Sequence, residues 1–248
     1  MKDTTLLIKS FLRPKCLSRL LHTINLYFPT TSVIVADDSP PIIQEEISKI
    51  IKAYQSNRLT FLKLPFDVGL TVGRNRLVDA ANTPYVILFD DDYVLDHESK
   101  LDILVSHLRQ NTYDLVGGCW KMPNGRIDHF AGYMEIKDSI LHFTQLEQYE
   151  QHQKADIVLN FFAAKTNTLR NLPWDENLKQ SEHFDFFLQY KQHEVRVGYE
   201  PNVRLIHDRR MPKGYREFRM RYIHDRKVMF KKWGITKFHA WPAPKANN

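Results

Sequence analysis

Uninterrupted apolar runs, rather than alternating ones, mark the first half of the chain. Residues 4–10, 32–36 and 85–89 are short stretches rich in aliphatic and aromatic side chains, and 59–64 reads as a further strand. Runs of that length without a polar face predict strands buried on both sides, as in a parallel sheet covered by helices. Helical spacing takes over between them. Pro14 opens a segment whose apolar face is Leu17, Leu20, Leu21, Ile24 and Leu26, and Pro29 stops it. Residues 42–54 predict a second amphipathic helix and Gly69 starts a third. Leu101, Leu104, Val105 and Leu108 mark a fourth, which Asp96 is placed to cap. Strand and helix thus alternate from residue 4 to 110, which predicts right-handed crossovers and an α/β fold of Rossmann-like type, a mostly parallel sheet with helices on both faces.

The pattern changes after residue 118. Residues 126–144 alternate in the manner of exposed strands, with Asn124 and Gly125 as a hairpin turn. Residues 156–164 form another buried run, 173–178 a polar turn, and 181–192 a helix with Glu182, His183 and Asp185 near its start. Acids in a first helical turn are favoured by the helix dipole whatever else they do. Two short strands, 196–199 and 203–206, follow, the second delivering His207. Residues 215–233 then predict a basic helix with Phe218, Tyr222, Met229, Phe230 and Trp233 on its apolar side. The expected organisation is one domain over 1–208, a nucleotide-binding half (1–118) and a mixed half (119–208), with a basic helical tail over 209–248.

Composition narrows the class. A chain of 248 residues that is 43% apolar buries a substantial core. No run approaches the length of a bilayer span, and the first residues lack the apolar stretch of a signal peptide. Cys16 and Cys119 lie far apart in apolar surroundings, which predicts free thiols and a reducing compartment. The net charge of +6 is unevenly spread. From Arg209 onward 12 Lys or Arg face two acids, which gives +10 and leaves the first 208 residues at −4 (23 against 27). The basic character belongs to the tail, and points to an anionic partner there.

The candidate chemistry sits at strand ends. The run over residues 85–89 leads straight into Asp90, Asp91 and Asp92. Three adjacent carboxylates repel one another unless a cation lies among them, and an all-oxygen cluster suits Mg2+ or Mn2+ rather than zinc. Ligands of open parallel sheets bind beyond the carboxyl ends of the strands, which is where this triad falls. A second pair, Asp37 and Asp38, also ends a strand; ahead of Ser39 and Pro40 it reads equally as a turn. The glycines around Gly69 and Gly73 fit neither a dinucleotide fingerprint nor an ATP phosphate loop.

Several segments, in order, resemble one family. They are Ile8 to Pro14, Tyr27 to Ser39, Gly73 to Asn75, Tyr85 to Asp92, Asp114 to Gly118, Val158 to Ala164 and His183 to Leu188. The chain resembles a GT-A glycosyltransferase of the family 2 type, and in detail the catalytic domain of the ganglioside-type beta-1,4-N-acetylgalactosaminyltransferases. That resemblance implies a UDP-sugar donor, GalNAc favoured, with an Mn2+ or Mg2+ cofactor. It implies that Asp37 or Asp38 recognises the uridine, that Arg13 and Arg74 lie at the donor, and that Asp90, Asp91 and Asp92 form the DxD element. Asp92 would then ligate the metal, with Asp90 and Asp91 reaching the ribose and the metal's water shell. His207 resembles a further metal ligand, and Arg209, Arg210 and Lys213 a clamp on the diphosphate.

Asp185 matches the carboxylate that inverting members use as general base, where the family usually has Glu; Glu182 is the alternative. Trp120 and Asn160 are candidates to line the sugar pocket. The implied reaction is a single displacement with inversion onto a glycan or lipid-linked glycan hydroxyl. The animal members carry a membrane anchor that is not seen here, so the expectation is a bacterial cytoplasmic enzyme of surface polysaccharide or lipo-oligosaccharide synthesis, or else an excised domain. The basic tail over 209–248 suits peripheral contact with an anionic membrane face. No nucleic acid is expected as a partner, because no nucleic-acid motif accompanies the tail and the first half is acidic. A nucleotidyltransferase of sugar phosphates is the competing enzyme class; it needs a glycine-rich basic loop that Phe11 to Pro14 does not offer.

Overall fold

The computed structural model describes residues 1–54, 57–208, Tyr215, Phe218 and 222–241. Its centre is a sheet in which β1 (Thr4–Ser10) is flanked by β2 (Ser32–Asp37) and β4 (Tyr85–Asp90), with β3 (Leu59–Lys63) beyond β2. All these pairings are parallel, with Lys9 beside Asp90 and Ser10 beside Asp37. The register therefore brings both acidic strand ends to the same edge. Side chains alternate across the sheet. Leu6 and Ile8 join a core with α1 (Pro14–Tyr27) and α4 (Leu101–Arg109), while Leu7 enters the opposite core with α3 (Leu70–Ala80).

On α1, Leu17, Leu20, Leu21 and Ile24 are buried as their spacing requires. Leu26 is 63% exposed. Two residues beyond Ile24 at about 100° each, it points to the far side of the helix, so it does not belong to that face. The expected cap of α4 also differs. The residue before the helix is Lys100, without a side-chain cap, and Asp96 instead accepts bonds from the Glu98 amide and the Ser99 hydroxyl. Asp96 closes its own local turn, which competes with helix capping.

Beyond β4 the sheet is not parallel throughout. β12 (Phe162–Lys165) lies antiparallel between β4 and β6 (Leu115–Lys121), and β13 (Val197–His207) runs parallel to β6. The two short strands expected around residues 196–206 are one strand with an irregularity between Tyr199 and Arg204, where Pro201 cannot donate to the ladder. The apolar run 156–164 serves two sheets: β11 (Ile157–Val158) joins the small sheet with β8 (Ala131–Lys137) and β9 (Ile140–Gln145), and β12 joins the large one.

The hairpin at Asn124 and Gly125 is present, with the Met122 amide bonded to the Arg126 carbonyl and Gly125 at φ 87. The polar turn 173–178 hides Trp174 in the core, stacked 4.5 Å from Phe186 of α6 (Glu182–Gln192). The described part of the basic helix is α7 (Tyr222–Trp233). Its Met229 is buried, Phe230 and Trp233 pack on the core, and β14 (Lys237–Trp241) follows as a strand parallel to β9. No helix among the described residues is long and apolar enough to cross a membrane.

Candidate active site

Part of the charge of the Asp triad is balanced from within the chain. Leu12 takes a positive φ of 58 just before α1, and Arg13 then reaches across to ion-pair with Asp91 and, at 2.6 Å, with Asp92. Asp91 is wholly buried, and burial pushes its carboxyl up to about 7 despite the guanidinium. Burial acts the same way on Asp92, but a hydrogen bond from His207 and the charge of Arg13 outweigh it and hold the group at about 2. Asp90 is the most open of the three.

His207, at the end of β13, places Nε2 3.5 Å from Asp92 Oδ2. The Trp120 ring lies 4.3 Å from the imidazole, and its indole N–H donates to the Tyr93 hydroxyl at 3.0 Å. Among the described residues no group of three or more His, Cys, Asp or Glu side chains is arranged to hold a metal ion unaided. Asp92 and His207 are the residues that would hold a divalent ion here, as an oxygen and a nitrogen donor, beside the Arg13 guanidinium that already meets the same Asp92 oxygen.

These side chains line a cavity of about 270 Å³. Its wall brings together Arg13, Asp90, Asp92, Trp120, Asn160 and His207, all site candidates from the sequence, with Leu70, Phe130, Leu159 and His183, which were given no role in the site. Charge-counting passes over His183 because it stands between two acids in the sequence, Glu182 and Asp185, that draw the attention. Its presence in one of the family-like segments was the available signal.

Other candidates are nearby but engaged. Arg74 is fully buried and pairs with Glu182 and, at 3.1 Å, with Asp90. It is a strut joining α3, β4 and α6. The Glu182 carboxylate also accepts the Asn160 amide at 3.3 Å, and burial raises its pKa against the pull of Arg74. Asp185 points away from the cavity to α7, taking Lys232 at 2.8 Å and the Trp233 indole at 2.7 Å. Asp37 accepts the Ser39 amide and hydroxyl, and Asp38 pairs with Lys9 and accepts the Gly69 amide at 2.8 Å. Gly69 itself sits at φ 98, a conformation that suits glycine at the start of α3. Arg209, Arg210 and Lys213 lie outside the described residues. Tyr215, 4.9 Å from the Arg13 guanidinium, and Phe218, 5.1 Å from Phe11, touch the site from that part of the chain.

Residues 5–173 match the profile described as Glycosyl transferase family 2. A relative from Mus musculus, Beta-1,4 N-acetylgalactosaminyltransferase 2, is 31% identical over 214 residues, covering 84% of this chain and 40% of its own length. The chain thus spans about two fifths of that relative. S. aureus TarS 1-349 in complex with UDP-GlcNAc superposes with a TM-score of 0.65 at 16% identity, over 87% of this chain and 61% of that one. GalNAc-T7, solved with UDP, GalNAc and Mn2+, gives 0.66 at 12% identity, over 96% and 55%. At such identities these two likenesses speak to the fold.

Proposed function

The chain belongs to glycosyl transferase family 2, and on that premise we propose that it transfers a hexose or N-acetylhexosamine, GalNAc by preference, from a UDP-sugar to a hydroxyl of a glycan. The single observation that carries this reading is the pairing of Asp92 with His207 in the wall of a cavity at the carboxyl ends of the strands, beside Arg13. The GalNAc preference rests on the name of the relatives at about 30% identity, and the UDP-sugar donor on the complexes of the structural neighbours.

In this reading Asp92 and His207 hold Mn2+ or Mg2+. The ion supplies Lewis-acid neutralisation of charge on the departing diphosphate. Arg13 adds a fixed positive charge at the same wall, where a poorly solvated site strengthens it. Asp90, the most open acid of the triad, reaches the ribose, and Trp120 and Asn160 frame the sugar. Asp37 and Asp38 close the β2 end of the site, where the uridine lies across the carboxyl ends of β1 and β2. Arg74 keeps Asp90 and α6 in place. Displacement at the anomeric carbon in one step inverts it, in keeping with the beta linkage named for the relatives. An anionic membrane surface at the basic segment and a surface glycan acceptor complete the proposal.

Calorimetric titration with UDP tests it. Binding that requires Mn2+ and is lost in Asp92→Asn supports the reading. Affinity indifferent to Mn2+ and to that substitution removes the metal role, and no affinity for UDP under either condition removes the donor.

A further inference from the structure

We propose that Tyr93 is a positioning residue that fixes His207 against Asp92, acting through the indole of Trp120. The inference rests on the reading of Asp92 and His207 as the metal-side pair. Tyr93 itself is fully buried and stands outside the cavity wall.

The strand pairing brings three rings together. Tyr93 follows Asp92 directly and opens β5 (Tyr93–Val94), which pairs antiparallel with the end of β13 and sets Tyr93 opposite His207. β6 runs along β13 with Trp120 beside Leu205, two residues before His207. Cross-strand partners and alternate residues share a face, so Tyr93, Trp120 and His207 stand on one side of the sheet.

Packing stands in for a hydrogen bond at this histidine. A metal-binding imidazole ordinarily donates its second ring N–H to a carboxylate, a carbonyl or water, and that bond fixes the ring. Among the described residues the His207 ring has one polar side-chain partner, Asp92. Its orientation comes instead from two rings: Trp120 at 4.3 Å, tilted by 41°, and Tyr93, edge-on at 5.4 Å. The Tyr93 hydroxyl accepts the Trp120 indole N–H at 3.0 Å, so the indole cannot leave the imidazole without breaking that bond. Tyr93 is anchored in turn against Phe161, 6.2 Å away in the core. Phe at position 93 keeps both ring contacts and removes only the hydroxyl. The indole N–H then needs another acceptor. Trp120 borders the cavity, so the N–H turns to water there and the indole comes off His207.

The test reads metal binding rather than turnover. The full chain is dialysed against labelled UDP at a series of Mn2+ concentrations, and bound UDP is measured for wild type, Tyr93→Phe, Trp120→Phe and the double variant. The expected result for Tyr93→Phe is a Mn2+ midpoint about tenfold higher than wild type, with the same plateau of bound UDP. Trp120→Phe should also raise the midpoint, and the double variant should do so no more than the larger single effect, because both changes act through one contact. A Tyr93→Phe midpoint within about twofold of wild type overturns the inference, as do single effects that multiply in the double variant. A lowered plateau at an unchanged midpoint marks a merely structural role and overturns it too. A wild type that binds UDP without regard to Mn2+, or whose midpoint is unmoved in His207→Ala, instead overturns the metal reading beneath, and the role of Tyr93 with it.

Discussion

His207 Nε2 lies 3.5 Å from Asp92 Oδ2, although one ends the last strand of the large sheet and the other follows its central strand. The contact joins the two halves of the chain at one point. Asp208 repeats the tie one residue on, its amide donating to the Asp92 carbonyl at 3.0 Å. The geometry at the Asp triad therefore depends on β13, and the site is assembled only when both halves are folded together.

Arg74 is expected to be essential to folding before it matters to chemistry. It is fully buried and balances two carboxylates, so Arg74→Met leaves Glu182 and Asp90 without their cation. Removing one partner of a buried pair costs about 3–5 kcal/mol. Urea unfolding should show a loss of that order, and a loss under 1 kcal/mol would contradict the strut.

Asp114 anchors three strands, bonding Arg196 ahead of β13 at 2.8 Å and Lys165 of β12 at 2.7 Å from the start of β6. The hydrogen bonds from Arg196 outweigh burial and hold its carboxyl well below the usual range. A depressed carboxylate contributes stability that is present above the unfolded value of about 3.9 and lost as pH falls toward the folded one. Because Arg196 is partly exposed, solvent trims the effect. Asp114→Asn should cost about 1–2 kcal/mol at pH 7 and progressively less as pH falls below about 4, measured by denaturant midpoints.

Gly118 is a packing prediction. A Cβ there would fall 2.4 Å from the Phe161 ring and 2.6 Å from the Val203 carbonyl oxygen, and that backbone cannot step aside cheaply. Gly118→Ala should lose about 1–3 kcal/mol. Gly125→Ala meets nothing within 4 Å but must hold φ 87, so about 1 kcal/mol is expected from conformation alone. Equal melting temperatures for the Gly118 variant and wild type would refute the contact.

The burial of His183 leaves a signature in stability. Its imidazole is held neutral in the fold down to about 3, through burial and Arg74, whereas the unfolded chain protonates near 6.5. For a depressed histidine the unfolded state binds more protons below pH 6.5, so stability falls as pH drops through that window. Glu182, raised by burial, works in the opposite sense and is common to both proteins. Between pH 7 and pH 5 the wild type should lose about 1–2 kcal/mol more than His183→Gln. Parallel pH profiles for the two would show that the ring is not buried neutral.

Much of the first half was legible because a parallel, doubly covered sheet leaves an unambiguous trace. Apolar runs without alternation at residues 4–10 and 85–89 can only be buried on both faces, and the acids that follow them fall at the ligand edge. The second half was less legible because its strands change partners. A single run at 156–164 feeds two sheets, and the two strands expected at 196–199 and 203–206 are one strand, β13, that continues through an irregularity. The site shows the same division. Asp90 to Asp92 announce themselves as a charge cluster, whereas the direction of a side chain does not. That Asp185 turns to α7 depends on Lys232 and Trp233, far along the chain, and that His183 faces the cavity depends on how α6 packs.

The most direct test of the account is UDP release from UDP-GalNAc, UDP-GlcNAc and UDP-galactose, measured with Mn2+ and with EDTA for wild type and Asp92→Ala. The account predicts turnover of one of these sugars with Mn2+, abolished by EDTA and reduced at least 100-fold in Asp92→Ala. Turnover that survives both EDTA and the substitution would contradict the role of Asp92 and His207, and release from none of the three would contradict the transfer reaction itself.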